Sequence, residues 1–182
     1  MKKIIAILFS MLIILNLLGC EKKYEPAPQI TEGEFPFVLE YEIDGQRYLI
    51  EDTVVCKFDG YDLSNPFPFI PYSRMWYASL KSGEEEKRLI IEFDENTESA
   101  LVSDRVNIES RVHLFYGSGG YYLGDPEDAD SGPKIRYTEI YQTGPKERTV
   151  KGTDLSYEQL EELFGIKIIR FEFSPPIENT FK

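Results

Sequence analysis

Few side chains in this sequence combine a reactive type with a spacing that chemistry could use. The single histidine, His113, stands in an alternating run between Arg111 and Phe115. Catalysis by histidine needs a nucleophile or carboxylate beside it, and no nucleophile-elbow pattern occurs. A solvated strand histidine is the favoured reading. Cys56 alternates with Val54 and Phe58, as a small buried hydrophobe does. Nothing near it in sequence supplies the electropositive setting of a reactive thiolate. One histidine and one such cysteine are too few for a dedicated zinc site. Oxygen ligands are more plentiful, because Asp125, Asp128 and Asp130, with Glu127, precede Gly132 and form a weak calcium candidate. Their spacing departs from an EF-hand loop, so a solvated acidic loop is expected. Gly117-Ser118-Gly119-Gly120 has the freedom to cradle a phosphate through its backbone amides. It lacks the lysine of a phosphate-binding loop and no helix signal follows it, so it reads as a strand connection. With 32 acids in the chain, no pair can be singled out for hydrolysis.

The aromatics are the more suggestive surface feature. Phe, Trp and Tyr make up 14% of the chain, more than a small core strictly needs. Such rings bury area at low entropic cost and keep a polar handle, which suits binding faces. They also pair well across strands, and sheet packing is expected to take most of them. Tyr72, Trp76, Tyr116, Tyr121 and Tyr122 are the candidates for a ligand-binding patch, near Phe67–Trp76 and Tyr116–Tyr122.

The elements that must position these residues have mostly a period of two. Phe37, Leu39, Tyr41 and Ile43 alternate with polar residues up to Asp44-Gly45, a strong hairpin signal. A two-residue turn there sets Tyr41 opposite Tyr48, Leu39 opposite Ile50 and Glu42 opposite Arg47. Thr53 to Phe58 reads as a third strand turned by Asp59-Gly60, and the prolines of Asn65–Pro71 favour an extended loop. Trp76–Lys81, Arg88–Phe93 and the long alternation through Val106, Ile108, Ser110, Val112, Leu114 and Tyr116 read as strands. Lys134–Gln142 and Arg148–Val150 suit a hairpin around Gly144-Pro145. One helix is expected over about 156–164: Ser156 and Gln159 form a capping box, and Gly165 terminates it. Its apolar face would be Tyr157, Leu160, Leu163 and Phe164. The fold class is therefore mainly β, an antiparallel β-sandwich or open barrel with one short C-terminal helix.

The N-terminus carries the most specific motif. Lys2 and Lys3 precede an apolar run, Ile4 to Leu18, that ends in Leu17-Leu18-Gly19-Cys20. A spanning helix needs about 20 apolar residues, and this run is shorter, as a signal core is. The segment resembles the type II signal peptide and lipobox of bacterial lipoprotein precursors. The resemblance implies a diacylglyceryl thioether on Cys20, cleavage in front of it by signal peptidase II, and acyl chains such as palmitate as the covalent lipid. No other cofactor is implied. Residues 1–19 would be the signal peptide, 20–34 the lipidated cysteine and a flexible tether, and 35–182 a single mainly-β domain. The body has the texture of small uncharacterised surface lipoproteins of low-G+C bacteria, and that likeness carries no activity.

The partners expected follow from charge and anchor. Removing residues 1–19 takes away two lysines and no acids, which moves the formal charge from −12 to −14. Such a surface repels nucleic acid. Cys20 is committed to lipid, so Cys56 has no disulfide partner within the chain. The expectation is a protein on the extracytoplasmic face of the cell membrane, held through its lipid and acting as a non-catalytic module for a protein, peptide or glycan. The alternative is a small extracellular hydrolase using carboxylates on cell-wall or glycan substrates.

Overall fold

The computed structural model describes residues 23–67, 69–84, 88–93, 101, 109–142 and 148–182. Two four-stranded antiparallel sheets face a common core and do not close into a barrel. The first has the order β3-β2-β1-β8, with β1 at Glu32–Ile43, β2 at Gln46–Tyr61, β3 at Arg74–Leu80 and β8 at Lys167–Phe173. The second has the order β4-β5-β6-β7, with β4 at Leu89–Phe93, β5 at Glu109–Phe115, β6 at Lys134–Gln142 and β7 at Arg148–Asp154. A one-turn helix, α1 (Gly119–Tyr122), follows β5, and α2 (Tyr157–Phe164) precedes β8.

The β1–β2 hairpin follows directly from its turn. Asp44 and Gly45 both take positive φ, 53° and 76°, the pair of angles a type I′ turn requires. That turn fixes Tyr41↔Tyr48, Leu39↔Ile50 and Glu42↔Arg47, as the sequence predicts. The two tyrosine rings stack at 5.2 Å, and Arg47 lies 3.7 Å from Glu42. Phe35, Phe37, Leu39 and Tyr41 then share the inner face with Ile50, Val54 and Cys56. From the other sheet Val112, Leu114, Ile135 and Tyr137 complete the same core.

Three local expectations change. The predicted third strand is the continuation of β2, which pairs with β1 from Gln46 to Lys57. The alternation fails at Asp52, on the inward phase, because its carboxylate accepts the Thr53 and Ser82 amides instead of leaving the sheet. Asp59-Gly60 does not turn the chain. Gly60 takes φ +92° within a register shift between Phe58 and Tyr61, a bulge that bends β2 toward its end. The helix keeps its capping box and its left-handed Gly165, but only part of its expected apolar face is covered. Leu160 is fully buried and Phe164 packs on Phe93 and Tyr137, whereas Tyr157 and Leu163 are 49% and 55% exposed. The stretches holding Val106, Ile108 and the Gly144-Pro145 turn lie outside the described residues.

From Lys23 on, the stretch expected as a tether is docked on the body as a strap. β1 opens at Glu32, three residues before Phe35, and residues 23–31 ahead of it lie along the body. Lys23 and Glu25 bond the backbone of Tyr72, and Ala27 exchanges both backbone bonds with Lys182 at 2.9 Å. Gln29 donates to the Thr180 carbonyl, while Asn179 Nδ2 donates to the carbonyls of Ile30 and Leu123. Pro26 and Pro28 suppress any strand signal here, yet the other backbone groups find partners across the chain ends.

Candidate functional site

The strap, the start of β3 and the loop after α1 meet at one buried charge pair. The Arg74 guanidinium donates from Nε to Asp125 Oδ2 at 2.7 Å and from Nη2 to Oδ1 at 2.8 Å. Trp76 Nε1 also donates to Asp125 Oδ2, at 2.8 Å. Glu25 of the strap accepts the Arg74 amide, Pro26 O accepts from Nη1, and the Phe181 ring lies under the guanidinium at 4.7 Å. The Arg74 and Asp125 side chains are only 7% and 3% exposed. Burial pushes the Asp125 carboxyl up, but the bonds from Arg74, the Glu127 amide and Trp76 together hold it below the ordinary carboxylate range.

This arrangement disperses the weak calcium candidate and shows that Asp125 is not a solvated loop acid. Asp125 is committed to Arg74 and caps the 3₁₀ turn Pro126–Asp128, Asp128 accepts the Ser118 hydroxyl at 2.7 Å, and Asp130 is exposed. Among the described residues no three ligating groups converge. The glycine-rich segment also has a different task from anion binding. Ser118 caps α1 by accepting the Tyr121 amide, a helical turn that the sequence did not signal. A Cβ on Gly119 would stand 2.5 Å from the Tyr77 carbonyl, and one on Gly120 would collide with Asp128 and Trp76. The glycines let α1 lie directly on β3.

That close approach disposes of most of the candidate aromatic patch. Tyr116 and Tyr122 are buried, so they cannot line a surface. The Tyr122 hydroxyl donates to the Tyr116 carbonyl, the Tyr116 hydroxyl donates to the Ala78 carbonyl, and Phe35 stacks on Tyr122 at 4.7 Å. Tyr121 is half-buried edge-on to Tyr122, and Trp76 is half-buried against Phe58. Of the five, Tyr72 belongs to a rim group, where Tyr24 packs against Tyr72 at 5.2 Å and Tyr61 at 4.9 Å. The neighbouring β2–β3 connection holds four exposed apolar side chains: Leu63, Phe67, Phe69 and Ile70 are 63%, 62%, 79% and 50% exposed. Met75 and Tyr77 extend this set along the edge strand β3. A signal for them exists in the sequence, since residues 63–73 contain no charged residue in a chain that is 29% charged.

The remaining reactive groups are structural. Cys56 is fully buried and its thiol is pushed up to about 12 by burial, so thiolate chemistry is suppressed. His113 is half-buried on β5, and its Nδ1 has no hydrogen-bond partner among the described residues. Burial, followed by the charges of Arg111, Arg88 and Arg136, lowers its pKa and keeps the ring neutral at pH 7. Glu139, which the strand period hid, is completely buried on β6, where the hydroxyls of Tyr137 and Tyr141 donate to its two oxygens. A shallow depression lined by Pro36, Phe37, Val38, Glu172, Phe173 and Ser174 offers a single carboxylate, and Arg170 is bonded to it. Compared with known proteins, the chain matches no family model, no curated protein and no solved structure.

Proposed function

We propose that the chain is a membrane-anchored extracytoplasmic lipoprotein, held by acyl chains on Cys20, that acts as a non-catalytic binding or interaction module. The single observation that carries the interaction part is the exposed apolar set along the β2–β3 connection and β3, from Leu63 to Tyr77. Side chains of this kind cost solubility and mark contact surfaces when they cluster. The buried ionisable groups with chemical promise serve packing instead, as the partners of Asp125 and Glu139 illustrate. The edge strand β3, with Met75 and Tyr77 outward, suits a protein, peptide or glycan partner better than a reaction.

Metabolic labelling with palmitate tests the anchor. The full chain is expected to take up label and sediment with membranes, and Cys20→Ala is expected to lose the label. Turnover of cell-wall peptides or glycans by the detergent-solubilised full chain would overturn the non-catalytic part.

A further inference from the structure

We infer that the Leu63–Ile70 loop contacts the lipid surface, so that the domain rests on the membrane instead of standing away from it. The inference rests on the Cys20 anchor proposed above and commits that anchor to a geometry. Lys23 is fixed to the body, because its carbonyl accepts the Tyr72 amide at 2.9 Å. Cys20 lies three positions before it, and a fully extended chain spans at most about 3.6 Å per residue. The lipidated cysteine therefore lies within about 11 Å of Lys23. Tyr72, which Lys23 touches, is two residues from Ile70.

The chemistry of the loop matches that position. Phe67, Phe69, Ile70 and Leu63 project outward with no charged residue between 63 and 73. On a chain of net charge −14 after cleavage, a charge-free stretch avoids the repulsion that anionic head groups impose on the rest of the surface. Tyr24, Tyr61 and Tyr72 form a rim beside it, as amphipathic rings do at head-group depth. Backbone N–H groups entering lipid must be satisfied internally. Pro66, Pro68 and Pro71 carry none. Ser64 and Phe67 donate to the Asp62 and Asn65 side chains, Ile70 to the Phe67 carbonyl and Tyr72 to Lys23.

The test uses the full-length protein reconstituted in vesicles of phosphatidylethanolamine and phosphatidylglycerol carrying acyl chains brominated near the head group. Phe69→Trp adds an indole at the loop tip, and Val150→Trp adds one at an exposed position on the edge strand of the other sheet. Loss of the added emission for Phe69→Trp, with that of Val150→Trp retained, is the result expected. Palmitate labelling of the same samples separates the two claims. Labelled protein whose Phe69→Trp emission is unquenched overturns the lipid contact and leaves the anchor standing. Unlabelled protein overturns both. A blue-shifted but unquenched emission would place a second copy of the chain on the loop, and also overturns the inference.

Discussion

Arg74 and Phe69 stand five residues apart and break the usual partition of polarity in opposite directions. The guanidinium is almost wholly buried, whereas Phe69 is 79% exposed. A buried charge needs a partner and full hydrogen bonding, and Arg74 meets that need by gathering segments with little else to hold them. The strap supplies Glu25 and Pro26, the 3₁₀ turn supplies Asp125, and the C-terminus supplies Phe181. Directional bonds join these pieces where apolar packing alone would leave their register open. The loop has no such internal task. Its apolar groups leave most of their surface uncovered by the body, which is why we read them as a contact surface.

Substitutions can break this contrast or sharpen it. The largest effect is expected at the charge pair: Asp125→Asn keeps the shape but removes the nearer carboxylate, leaving the guanidinium only Glu25 at 3.5 Å, which costs about 3 kcal/mol. Urea unfolding of the full chain reads it, and a loss below 1 kcal/mol would contradict the burial argument. The same pair sets an acid limit. Because the folded Asp125 carboxyl lies below its ordinary value, its contribution is complete above about pH 4, near the unfolded pKa, and is lost as pH falls through the folded value. Asp125→Asn is expected to flatten that part of the stability–pH curve, measured as unfolding midpoint against pH. Next in size is Gly119→Ala, whose methyl meets the Tyr77 carbonyl and is expected to destabilise by about 1–3 kcal/mol. Thermal unfolding measures it. Smallest is Phe69→Ser, expected to leave stability within about 0.5 kcal/mol. Were Phe69→Ser to destabilise as much as Gly119→Ala, the loop would be part of the core and the contrast would collapse.

Local chemistry was readable wherever neighbours in sequence are also neighbours in space. Asp44-Gly45 specified both its turn and the register of β1 on β2, and Ser156, Gln159 and Gly165 bounded α2. The alternation from Ser110 to Leu114 separated the buried face from the other correctly. What failed depends on distant partners. The strap has no period because its bonds run to residues 179–182 and to Tyr72. The Arg74–Asp125 pair spans 51 positions, so Asp125 read as one more acid of a loop. Tyr116 and Tyr122 looked available because nothing local announces that Gly119 and Gly120 admit a helical turn against β3. The stretch from Phe67 to Trp76 was marked in the sequence, but through Tyr72 and Trp76, whereas Phe67 and Phe69 are its exposed rings. Apolar residues are expected inside, and only the position of the strap beside them gives their exposure a meaning.

The contrast depends on whether residues 23–31, ahead of β1, are fixed to the body. Amide hydrogen exchange on the full chain tests this most directly, read at Ala27, Gln29, Tyr72 and Lys182, whose N–H groups the structure places in strap bonds. Exchange slowed well below the rate of an unstructured chain at all four is the result the account requires. Exchange at the free-chain rate at Ala27 and Gln29 would restore a flexible tether, and the membrane contact inferred for Phe69 would lose its geometric basis.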